Sequence, residues 1–197
     1  MEEAMMIRAS SAVACLILAG GAGAGSLAGT VTATGQRDSA DAVVYVDAIA
    51  GKTFPAPSAH AVVDQVKMAF VPRVLPVLVG TSVDFNNSDN VNHNVFTTDK
   101  CAGAFNLGSW GRGGTKSHVF DKPCFAALLC NIHPEMEGFV AALPTPYFAV
   151  TDKQGAYEIK DLPDGSYTVK VWHARLKEAM KKVSVKDATR EDFKLEK

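Results

Sequence analysis

The chain has no excess of either charge: 20 Lys and Arg face 21 Asp and Glu over 197 residues, for a formal net charge of -1. That balance argues against nucleic acid or any strongly charged partner. It has no membrane-spanning run, since the strongly apolar stretch at residues 12–18 falls well short of the roughly 20 residues that cross a bilayer. It also has no catalytic constellation: no nucleophile stands beside a paired base, so no enzymatic activity is expected. The glycine-rich segment at residues 108–115 is not followed by Gly-Lys-Thr, which excludes a phosphate cradle and leaves a loop. Tryptophan is scarce, and Trp110 and Trp172 are better explained by core or loop packing than by electron relay.

What is present begins with an export pattern. Arg8 precedes the apolar run, and a small-residue stretch follows it, so residues 1–28 read as a signal peptide cleaved after Ala24 or Ala28. Each site has a small residue at the -3 position, Ala22 or Ser26. Glu2 and Glu3 are unusual before such a segment, and initiation at Met5 or Met6 would remove them. Cys15 lies inside the apolar run, which disfavours it as a lipid attachment point. Export places the mature protein in the periplasm or beyond, with no membrane span after cleavage.

Removal of that segment leaves Cys101, Cys124 and Cys130, an odd number for an oxidising compartment, so one is free or bound. Cys130 has company. In Cys130-Asn131-Ile132-His133-Pro134-Glu135-Met136 a thiolate, an imidazole and a thioether recur at every third position, a set that suits copper. A second imidazole is available from His93 in Asn90-Val91-Asn92-His93-Asn94-Val95-Phe96, just after an apolar run that ends at Phe85. His93, Cys130 and His133 with a weak axial Met136 make one copper site per chain, and zinc fits less well because Met is a poor zinc ligand. With Cys130 engaged, Cys101 and Cys124 are left either bridged to each other or as buried thiols. His60, His118 and His173 lack such neighbours and are expected to be packed or exposed polar residues.

A lone His-Asn pair at a strand end, followed downstream by C-x-x-H-x-x-M, resembles the cupredoxin (blue copper) family, with a ligand loop most similar to that of the amicyanins. Phe70-Val71-Pro72 and Gly80-Thr81-Ser82-Val83-Asp84-Phe85-Asn86-Asn87 resemble the F-x-P and G-x-x-V-x-F-x-N signatures of plastocyanin-like domains. The likeness covers residues 62–143. It implies a type 1 copper centre that passes one electron at a time to an unidentified redox partner protein. It further implies that the Asn94 backbone N–H faces the ligand sulfur, that the Asn94 side chain ties the two ligand segments, and that His133 is the solvent-facing ligand. Pro134, Phe96 and Phe139 fit either an apolar docking patch or core. A copper carrier or sensor that never cycles redox is the alternative, while the ligand set argues against a bare scaffold.

Short strand candidates recur at residues 62–68, 74–79, 82–86, 94–97, 116–120, 125–129 and 138–142, separated by Gly, Pro, Asn and Asp. This pattern predicts an all-β Greek-key sandwich or barrel over residues 59–144. Residues 29–33 and 42–46 give two further strands, and residues 51–58, with two prolines, read as a linker. Residues 148–172 alternate polar and apolar around Asp164-Gly165, a strong turn signal, while residues 174–182 read as a helical turn. Residues 29–58 together with 145–197 are similar to carboxypeptidase regulatory-like (transthyretin-like) sandwiches. That resemblance implies that the copper domain is inserted between the module's second and third strands.

Overall fold

The computed structural model describes residues 24–197, an all-β chain of seventeen strands with one short 3-10 turn, Lys100–Ala102. β1 (Ala24–Ala33) and β2 (Val43–Val46) come first. Nine strands follow: β3 (Ala61–Gln65), β4 (Phe70–Val71), β5 (Val74–Leu78), β6 (Ser82–Asn87), β7 (His93–Phe96), β8 (Asn106–Trp110), β9 (Thr115–Val119), β10 (Cys124–Leu129) and β11 (Glu137–Leu143). The last six are β12 (Phe148–Val150), β13 (Ala156–Pro163), β14 (Gly165–His173), β15 (Leu176–Val185), β16 (Ala188–Arg190) and β17 (Phe193–Leu195).

The central strands form two sheets, ordered β5-β11-β10-β7-β8 and β4-β3-β6-β9. Strict alternation builds the core between them. Val83, Phe85 and Asn87 on β6 turn inward, as do Cys124, Ala126 and Leu128 on β10, because successive side chains of a strand face opposite ways. This is a cupredoxin-like β-sandwich, and the metal-ligand candidates sit at the end of it where β7 starts and β10 gives way to β11.

The first two and last six strands form two more sheets, β13-β1-β16 with β17 beside β1, and β12-β2-β14-β15. They enclose a second core that includes Leu27, Val31, Ile159, Val169 and Phe193. β2 explains how the two units join. All four of its residues are buried because Val44 and Val46 face the second core while Val43 and Tyr45 face β11 and β10 of the first unit. A strand covered on both faces reads as a continuous apolar run. Phe125 and Trp172 stack in this seam with centroids 4.6 Å apart and an 11° tilt, and the Phe139 ring stands edge-on to Trp172 at 5.4 Å.

The structure corrects several expectations. Residues 174–182 are not helical: a turn after His173 leads into β15, which pairs antiparallel with β14 from Gly165↔Val185 to His173↔Leu176. Its Lys and Glu residues hide the alternation because most of that strand is exposed. The glycine-rich segment at residues 108–115 is only partly a loop, since Gly108, Ser109 and Trp110 belong to β8. Gly108 has φ +71°, a left-handed value open to glycine, beside a register shift against β7. β1 starts at Ala24, earlier than the strand expected at residue 29. The expected signal peptide falls on residues 1–23, outside the described residues, apart from the stretch that enters β1.

Candidate metal centre

His93 is the first residue of β7, Cys130 directly follows β10, and His133 lies in the turn before β11. One ligand atom from each falls within 4.8 Å of the others, and this is the one such group of His, Cys, Asp or Glu among the described residues. His93 is fully buried, Cys130 is 3% exposed and Met136 is 1% exposed, whereas His133 is half-buried. Met136 donates its backbone N–H to the His133 carbonyl at 3.0 Å, which closes the loop into a tight turn. Cys130 is a free, buried thiol, while Cys101 and Cys124 are bridged with Cα atoms 5.5 Å apart.

Hydrogen bonds fix the ligand atoms. The Asn94 backbone N–H points at Cys130 Sγ at 3.4 Å. The Asn94 side chain accepts from the Asn131 N–H at 3.3 Å and donates to Asn106 Oδ1 and the Gly108 carbonyl, both at 2.9 Å. His93 Nε2 lies 2.8 Å from Asp89 Oδ2, and His93 Nδ1 lies 3.1 Å from His133 Nδ1.

Asp89 orients the His93 ring. Its carboxylate accepts the backbone N–H groups of Lys67 at 2.6 Å and Met68 at 2.8 Å. The Met68 bond above all, and then the contacts with His93 and Lys67, hold its carboxyl below the usual carboxylate range against the opposing effect of burial. An ionised Asp89 can only accept, so His93 Nε2 carries a proton and donates it to that carboxylate. Two bare lone pairs at 3.1 Å would repel, so one proton lies between the two Nδ1 atoms. That proton is the one a cation held by both nitrogens would displace. A buried cysteine sulfur and two imidazole nitrogens turned to each other, with Met136 in the same core cluster as Cys130, form a donor set that fits copper.

Sequence reasoning missed Asp89, because Ser88-Asp89-Asn90-Val91-Asn92 reads as loop punctuation with nothing to mark one carboxylate. Asn87, the last residue of the G-x-x-V-x-F-x-N signature, gains its role here: its Nδ2 donates to the Val91 and Trp110 carbonyls, both at 2.9 Å, and so shapes the loop that presents His93. The other histidines lie outside the cluster. His60 Nδ1 contacts Asp84 at 2.8 Å, His118 Nε2 lies 3.0 Å from the Ala102 carbonyl, and His173 is buried in the seam beside Arg73 and Asp41. Of the apolar residues considered for a docking patch, Pro134 is exposed, Phe96 is half-buried and Phe139 is buried under the second sandwich.

Fold and site together define an all-β protein built on a cupredoxin-like sandwich with a His-Cys-His cluster at one end. No protein-family model and no curated protein matches the chain. Similar solved structures include a purple cupredoxin from Nitrosopumilus maritimus, 26% identical, covering 42% of this chain and 98% of that one at a TM-score of 0.38. A reduced amicyanin variant is 27% identical and covers 44% of this chain and 85% of its own, with a TM-score of 0.41. A copper-containing nitrite reductase from Thermus scotoductus is 26% identical over 51% of this chain, with a TM-score of 0.43, but the match spans only 25% of that enzyme. At these TM-scores the likenesses decide nothing, and the class rests on the paired sheets and the donor cluster. Among the described residues no helix is long and apolar enough to cross a membrane.

Proposed function

We propose that the protein is an exported type 1 copper protein that carries single electrons, held by His93, Cys130 and His133 with Met136 as the weak fourth ligand. The observation that carries this reading is the convergence of the three donor atoms within 4.8 Å around the free buried thiol. Copper bound there supplies reversible one-electron chemistry, with thioether and imidazole donors acceptable to both oxidation states. The protein's own part is rigidity and access. Asp89 holds His93 and the Asn94 N–H holds Cys130, which limits movement between oxidation states. His133 is the half-buried ligand, and its neighbours Ile132 and Pro134 are exposed, which supports electron entry at that edge from a redox partner protein.

Burial of His93, Cys130 and Met136 favours this reading over a carrier that hands copper on, because a metal donor needs ligands a partner can reach. Four protein ligands also leave no position for substrate, which supports an electron carrier over an enzyme. The test is the visible spectrum of the full chain loaded with copper. An intense thiolate-to-copper band is expected, and Cys130→Ser should abolish it while leaving the far-ultraviolet signature of the sheets. A colourless Cu(II) complex of the unaltered protein would sink the reading.

A further inference from the structure

Glu137, directly after Met136, accepts from Arg73 Nη2 at 2.8 Å and lies 3.8 Å from Arg175 Nη2. Arg73 Nη1 reaches Asp41 Oδ2 at 3.0 Å. Asp41 precedes β2 and Arg175 lies in the turn between β14 and β15, so both outer partners belong to the second sandwich. Arg73 is also fixed at its base. Its carbonyl accepts the Phe139 N–H at 2.7 Å, and its guanidinium lies 5.3 Å from the centroid of the Phe139 ring that meets Trp172. Glycine at 138 permits this approach, since a Cβ there would sit 2.8 Å from Phe70 Cβ and 3.2 Å from the Arg73 carbonyl oxygen. Asp41 takes φ +65°, uncommon for a residue with a side chain, which aims its carboxylate at Arg73.

Half-exposed ion pairs add little stability. A planar guanidinium bridging two carboxylates and lying against an aromatic ring does, however, fix direction. We propose that the second sandwich is a clamp on the metal-binding loop: Asp41 and Arg175, acting through Arg73 and Glu137, hold the Met136 end of the loop in place and so tune the metal centre. The clamp itself concerns the metal-free chain, and only its tuning role rests on the copper reading. Asp41, Arg73 and Glu137 are positioning residues and touch no ligand atom in this scheme.

The test compares Arg73→Gln and Asp41→Asn in the full-length protein, with Lys170→Gln as the control. Lys170 pairs with Asp47 at 3.0 Å beside Cys124 and Leu143, at the other end of the seam. Asn tolerates the left-handed backbone at position 41. In the metal-free protein both clamp variants should speed hydrogen exchange at the Met136 and Glu137 amides by roughly tenfold, while the control leaves it unchanged. In the copper-loaded protein both should shift the thiolate band in the same direction, although one removes a positive charge and the other a negative one. Unchanged exchange in both clamp variants overturns the clamp, whatever the metal does. Band shifts of opposite sign, following the charge removed, overturn the tuning role. If the unaltered protein takes up no copper, the proposed function fails and the exchange result alone decides the clamp.

Discussion

At the scale of single residues, Asn94 is where three segments meet. Its backbone N–H serves the sulfur, while its buried side chain joins β7 to β8 through Asn106 and Gly108 and to the ligand loop through the Asn131 N–H. These two duties separate under mutation, because an alanine keeps the backbone donor and loses every side-chain bond. Asn94→Ala orphans the buried side of those partners and should destabilise the protein by about 2–3 kcal/mol in urea unfolding. The copper-loaded variant should keep a thiolate band, since the N–H facing Cys130 survives. A loss of the band with stability intact would mean that the side chain, and not the backbone, serves the sulfur.

At the scale of elements, β1 bears on where export would cut the chain. Gly25 pairs with Leu162 and Leu27 with Ile159, and Leu27 is fully buried in the second core. Cleavage after Ala28 would discard Leu27 and with it about 2–5 kcal/mol of core packing. Cleavage after Ala24 keeps the ladder to β13. If the proposed export holds, the mature chain is expected to begin at Gly25, which its intact mass decides; a mature start at Gly29 with an unchanged melting temperature would refute this account of β1. How much of each element was legible follows from what its residues bury. β6 alternates cleanly because only one face of it meets the first core, β10 reads as a continuous apolar run because Phe125 and Ala127 on its other face pack in the seam, and the Cys, His and Met of the ligand loop stand out because scarce residue types recur at short spacing. β15 was opaque because Lys177, Glu178, Lys181 and Lys182 put charge on both of its faces, and β8 because Gly108 is a bend within a strand. Arg73 and Glu137 are 64 residues apart, and no local pattern announces a partner at that distance. Asp89 carries no mark in the sequence either, since its role arises only when Lys67 and Met68 turn their backbone N–H groups toward it.

At the scale of the whole molecule, the seam makes the two sandwiches one unit, and His173 gives it a pH dependence. His173 is 8% exposed, and its Nδ1 accepts the Arg175 N–H at 3.2 Å, so the neutral ring is the one this bond requires. Burial foremost, then the Arg73 guanidinium, and to a lesser degree Arg175, push its pKa below the ordinary 6.5, while Asp41 and Asp38 oppose the shift. A group that is harder to protonate when folded binds fewer protons than it does in the unfolded chain. Its contribution is therefore fully present above pH 6.5 and is lost as the pH falls from 6.5 through the depressed folded value. His173→Gln cannot titrate, so the stability difference between the unaltered protein and this variant should shrink as urea unfolding is repeated from slightly alkaline to mildly acidic pH. A difference that stays constant across that range would mean His173 titrates alike in both states, and that the cations around it do not press on the ring.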